Sequence, residues 1–161
     1  NNKKLEKDLE NAINFSEFIN RIEVSQDDLE NNAQLGFVNG ITKILMDNLR
    51  QLTLHERPIH CTDSKREILY IKDDNEWQKE NDNNKLMGAI KEVSRKSMSS
   101  LLSWKHDNPE YGDVDSEFSN KCVEIQKQSL AGENKETYYP KVIHNLAKAT
   151  AIEKDKLKIK I

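Results

Sequence analysis

The densest set of reactive side chains runs from Arg57 to Glu67, read Arg57-Pro58-Ile59-His60-Cys61-Thr62-Asp63-Ser64-Lys65-Arg66-Glu67. It places an imidazole, a thiol and two carboxylates among three cations. A Cys–His pair works as nucleophile and base only when the ring reaches the sulfur. His60 and Cys61 are adjacent in a segment of strand character, and strand neighbours point to opposite faces. They are therefore expected not to act on each other, with Cys61 packed as a small apolar group and Asp63 closing a turn. His60 with Asp63 is the weak enzymatic alternative. A metal site from His55, His60, Cys61 and Cys122 fails on spacing, because structural zinc takes four ligands in close pairs. His106 and His144 stand alone. There is no Gly-rich phosphate loop, nucleophile elbow, His-Glu-x-x-His or paired-carboxylate motif. No catalytic residue, cofactor or metal is expected.

Cations supply the other candidate chemistry. Lys91 and Arg95 share a helical face, with Lys96 and Lys105 nearby, while Lys65, Arg66 and Lys72 fall on a hairpin. A helix followed by a hairpin superficially suggests a winged helix, so nucleic-acid recognition in a regulatory protein is the alternative function, resting on Lys65, Arg66, Lys72, Lys91 and Arg95. Against it, 25 basic and 28 acidic side chains leave a net charge of −3, which disfavours strong nonspecific binding. Trp77 and Trp104 could stack on bases, yet both sit where apolar faces predict core.

The elements that must position these residues are legible in outline. Over the first 34 residues an apolar seam runs along a polar helix. With Leu5 at heptad position a, Ala12, Ile19 and Ala33 follow at a, and Phe15, Ile22 and Leu29 fall at d. So thin a stripe needs another helix, and a second copy is the simplest partner. The expected oligomer seam is thus Leu5, Ala12, Phe15, Ile19, Ile22 and Leu29. Ile19 and Ile22 at a and d favour a trimer over a dimer. The competing reading makes Ser25 an N-cap with Asp28 completing the box, so that two helices meet there. From Phe37 a wider face appears (Ile41, Ile44, Leu45, Leu49, Leu52), ended by Pro58.

Next comes the β region: Ile59–Thr62, then Glu67–Lys72, then Glu76–Lys79 carrying Trp77. In the middle strand Ile68 and Tyr70 face one side and Leu69 and Ile71 the other. Helix returns from Asn83 to Asn108-Pro109, then around Phe118, Cys122 and Ile125, with Gly132 at its C′ position. A last helix carries Tyr139, Val142, Ile143, Leu146 and Ala147, with Pro140 in its first turn. The expected fold is α+β: a mostly helical domain with a small antiparallel sheet at residues 37–154, preceded by a coiled-coil helix at 1–36 and followed by a tail at 155–161.

Composition narrows the field. The chain has 161 residues, 35% of them hydrophobic and 33% charged, enough for one domain with an appendage. It excludes a collagen-like chain, a basic nucleic-acid coat, a disulfide scaffold and a membrane-spanning protein. Two distant cysteines point to free thiols in a reducing compartment. The Asn, Lys and Ile bias fits an AT-rich genome. An initial Asn in place of Met leads us to expect a fragment of a longer protein, the C-terminal part.

The stretch NLRQLTLHERPIHCTDSKREILYIKDDNEW resembles a domain recurring at the C-terminus of uncharacterised proteins of large and giant DNA viruses. That family's central string reads RPIHC(S/T)D-x-KRE-x-x-Y-(I/V)-K followed by a Trp. Arg57, Pro58, His60, Cys61, Asp63, Lys65, Arg66, Tyr70, Lys72 and Trp77 all match, and AIKEVSRKSMSSLLSWKHDNPEY and YYPKVIHNLAKATAIEK extend the likeness from about residue 37 to 154. The resemblance implies a preceding coiled-coil segment and an N-terminal zinc-finger-like module that this chain lacks, and it gives the motif residues no assigned role. It also implies a place in the host cytoplasm (the viral factory) or the virion, not secretion. The expectation is a non-enzymatic viral oligomerisation and interaction module, partnered by copies of itself and by another viral protein, with no membrane.

Overall fold

The computed structural model describes residues 10–108, 120 and 135–152. Leu5, Cys122, the helix expected around Phe118 and the tail lie outside them. Among the described residues four helices accompany one three-stranded antiparallel sheet, the expected α+β class. The order is α1 (Phe15–Arg21), α2 (Gln26–Arg50), a 3-10 turn (Leu54–Glu56), β1 (Ile59–Asp63), β2 (Ile68–Asp73), β3 (Glu76–Lys79), α3 (Asn84–Asp107) and α4 (Lys135–Ala149). No helix among these residues is long and apolar enough to cross a membrane.

The chain groups into two units. The first takes residues 1–22, 46–87 and 143–161, the second residues 23–45 and 88–142. The expected division between residues 36 and 37 is not the one observed.

The first unit holds the sheet, in the order β1-β2-β3. The pleat explains its composition. Ile59, Cys61, Leu69 and Ile71 project to one face and are fully buried, with Ile59 paired to Ile71 and Cys61 to Leu69. His60, Tyr70, Lys72 and Trp77 project to the other, with His60 opposite Tyr70 and Lys72 opposite Trp77. Asp74 and Asn75 turn the β2–β3 hairpin at φ 50 and 64, the left-handed region that short polar side chains tolerate in two-residue hairpins. A register shift between Cys61 and Asp63 bulges β1 before the next turn. On the other edge of β1, Cys61 forms a parallel bridge to Ala151. Its N–H donates to Thr150 O at 3.0 Å and its carbonyl accepts from Ile152 N at 2.9 Å.

Helix α2 ends at Arg50, well before Pro58. Side chains near its end do the terminating. Arg57 Nε donates to the carbonyls of Leu49 (2.9 Å) and Leu52 (3.3 Å), joining Leu52 N (3.0 Å) on the Leu49 oxygen at the end of the helix. The Glu56 carboxylate accepts from the N–H and hydroxyl of Thr53, which starts the 3-10 turn. At the other end of the chain, Pro140 lies inside α4, beyond the expected first turn. It follows closely on the N–H groups that lack helical partners in any case, so about one backbone bond is lost.

The single heptad helix expected over residues 1–36 is replaced by two elements, α1 in the first unit and the start of α2 in the second. α1 stops at Arg21, and Ser25 opens α2 through a capping box: Ser25 Oγ accepts from Asp28 N at 3.1 Å, and Asp28 Oδ2 accepts from Ser25 N at 2.9 Å. Two satisfied donors outweigh continuing the helix through Ile22, Glu23 and Val24. Gly36 then breaks α2 internally at φ 84, ψ 172, a conformation essentially reserved for glycine. Past the break, Phe37 stacks on Tyr138 and Tyr139 with centroids 5.7 and 6.0 Å away. A Cβ on Gly40 would collide with the carboxamide of buried Asn32. Leu29 and Leu101 form the neighbouring core, flanked by Val24, Ala33, Met98 and Trp104.

The seam residues are buried nonetheless. Ala12, Phe15, Ile19, Ile22 and Leu29 are each at most 7% exposed within one chain. The apolar stripe is real; the expectation that a second copy of the chain covers it is corrected, since these residues are buried within one chain.

Candidate functional site

The strongest convergence of motif residues is the sheet face carrying His60, Tyr70, Lys72 and Trp77. Alternation along β2 and pairing to both neighbours bring together four side chains spread over residues 60 to 77. The His60 ring lies 5.8 Å from that of Trp77. His60 Nε2 meets Leu54 O at 3.1 Å, which assigns the proton to Nε2 and leaves Nδ1 as a bare acceptor. That Nδ1 is closed off from water without a donor. Burial holds the ring's pKa down to about 4, against 6.5 ordinarily, and nearby Arg57 and His55 act in the same direction. His60 is thus a neutral packing imidazole at physiological pH.

Lys72 does not reach solvent from a hairpin wing. It is 8% exposed, and its ammonium donates to the carbonyls of Ala12 at 2.7 Å and Glu10 at 2.9 Å. The physical reason is parity: Lys72 shares its face with Trp77, and Ala12 packs on that indole beside Tyr70 and Ile152. The segment from Glu10 to Ile22, ending in α1, is accordingly an arm fixed on the sheet. Ile13 N donates to Glu56 O at 3.0 Å. Asn14 bonds Asn75 through both its amide atoms. Ser16 donates through N and Oγ to Asp73, whose other partner is Lys85 at 2.8 Å. These bonds and the Lys85 charge hold the Asp73 carboxyl below its ordinary pKa despite desolvation.

The remaining motif residues serve the scaffold. Arg57 ends α2, Pro58 O accepts from Lys72 N at 2.9 Å, and Asp63 accepts from Arg66 N at 3.1 Å. Cys61 lies on the opposite face from His60, so the two do not form a catalytic pair, and burial raises the thiol's pKa. Asp73, Asp74, Glu76, Glu80 and Lys85 line a small acidic hollow. Among the described residues no group of three or more His, Cys, Asp and Glu side chains could hold a metal ion.

The other expected cations are divided. Lys65 and Arg66 are exposed on the β1–β2 turn, with Arg66 next to Asp63. Lys91 and Arg95 are exposed on α3 in the second unit, and Arg95 is held by Glu92 at 3.0–3.1 Å through Nε. With Lys72 sealed, the proposed nucleic-acid set loses its central member.

A second feature escaped the sequence. In the second unit, the start of α2 and one face of α3 enclose an open groove of about 340 Å³, lined by Val24, Gln26, Leu29, Ser99, Ser100, Ser103, Trp104 and Asp107. Trp104, expected in the core, is half-buried there. Ser100 Oγ donates to Val24 O at 3.1 Å and ties the walls together. The available signal was the spacing of Ser99, Ser100, Ser103, Trp104 and Asp107 on one helical face. No protein-family model, curated protein or solved structure matches this chain.

Proposed function

We propose that the protein is a non-enzymatic interaction module that gathers copies of itself and docks a further protein. The observation that carries this reading is the groove floored by Val24, Leu29 and Trp104. Indoles in such settings anchor protein contacts more than other side chains. Leu102 at 59% exposure and Leu35 at 43% add apolar surface to the same unit. The Arg57–Trp77 string supports an origin in a large or giant DNA virus, and with it a place in the viral factory or the virion. The case for a trimer no longer has its basis, because Ile19 and Ile22 are buried within one chain.

Sedimentation equilibrium on the whole chain at micromolar concentration tests the reading. Self-association is expected, shifted toward monomer by Trp104→Ala and by Leu102→Lys. A wild-type chain that stays monomeric across that range overturns it.

A further inference from the structure

The arm from Glu10 to Ile22 belongs to the first unit, while the residues directly after it, from Glu23 to Leu45, belong to the second. The chain passes between the two through Ile22–Ser25, four non-helical residues between α1 and α2. All of the arm's attachments described above run to β2, the β2–β3 turn, β3 or the 3-10 turn. Lys72 holds the carbonyls of Glu10 and Ala12, Asp73 holds Ser16, Asn75 holds Asn14, and Trp77 supports Ala12. The attachment points named here therefore lie on the sheet and the 3-10 turn, and none of them belongs to the connector.

We propose that this surface accepts the arm of a second copy, so that assembled chains exchange their first helices. The arm seated on the sheet shows what fits: a copy carries the same Ala12, Asn14, Phe15 and Ser16 in the same order, and every contact made within one chain can be made between two. Exchange of identical elements is a low-cost route to a closed dimer for this reason. The inference rests on the self-association proposed above, which brings arm and sheet of neighbouring copies to an effective concentration on the order of millimolar. Ile22–Ser25 is the hinge. The capping box at Ser25 and Asp28 fixes where it ends, since α2 begins in the same way whichever sheet receives the arm.

The test uses cysteines at the touching pair Asn14 and Asn75, in a Cys122→Ser background. The double variant Asn14→Cys/Asn75→Cys shows that the geometry allows a disulfide. Separately, Asn14→Cys protein labelled with ¹⁵N is co-refolded with unlabelled Asn75→Cys protein, oxidised, and digested for mass spectrometry. A mixed-isotope peptide joining positions 14 and 75 is the expected result, in clear excess over its share among the 14–14, 75–75 and 14–75 links that random collision of accessible thiols would give; a merely random distribution of the three would count against exchange. If wild type sediments as an oligomer and the double variant links within a chain, yet the mixture yields no mixed-isotope peptide, exchange is overturned while self-association stands. Strictly monomeric wild type overturns both.

Discussion

The Lys72 ammonium donates to the Ala12 carbonyl at 2.7 Å, across sixty positions of sequence. Among the described residues the buried ammonium is matched by two backbone oxygens and by no carboxylate. Oxygens and ammonium together fasten the arm to the sheet, so the residue once placed on a nucleic-acid-binding wing is a clasp.

Lys72→Met keeps the aliphatic stem and removes the donor. It leaves Glu10 O and Ala12 O without their charged partner, and a net loss of about 1–3 kcal/mol is expected. Urea midpoints measure it. Limited proteolysis should cut first near Glu10–Asn14 in the variant, and an unchanged midpoint with an uncut arm would contradict the clasp.

His60 makes stability depend on pH. Its folded pKa is about 4, below the ordinary 6.5. Between those values the unfolded chain binds a proton that the folded chain does not, so stability is full above about 6.5 and falls as pH drops toward 4. The gap corresponds to about 3 kcal/mol. Denaturation of wild type and His60→Phe at pH 7.5 and 4.5 should show a smaller acid loss in the variant, and equal losses would remove His60 as the cause.

How far these features could be read beforehand depends on what sets them. Alternation in Ile68–Ile71 is local, and the strand faces follow from it. The limits of α3 follow from Asn83 and Pro109 in the same way. Periodicity at Ala12, Phe15, Ile19, Ile22 and Leu29 correctly reports a buried stripe, but it carries no information on which chain buries it. Lys72 departs from its expected exposure because a cation signals solvent until a specific pair of carbonyls is in place, and those lie far away in sequence. The groove needs Val24 and Trp104 side by side, a tertiary fact.

Gly36 tests the kink. At φ 84, ψ 172 a side chain is strained, so Gly36→Ala should lower stability by about 1–3 kcal/mol. Thermal melts monitored by circular dichroism measure it, and a neutral effect would mean that the break is not required.

Cys61 is 0% exposed, and burial raises its pKa. In a Cys122→Ser chain it should resist an aromatic disulfide reagent under native conditions and react at the rate of opening. Mild denaturant should accelerate the reaction steeply. Prompt reaction in native buffer would contradict the packing.

The bridge from Cys61 to Ala151 carries a consequence for anyone who shortens the protein. A bare strand margin offers its amides to any passing chain, and the few residues after α4 shield the middle of β1 from such recruitment. Trimming back to Ala149 would leave helices and hairpin intact yet turn that margin into a template for sticky, stacked aggregates. A truncated sample that clouds on concentration would be revealing the loss of this cover more than a failure to fold.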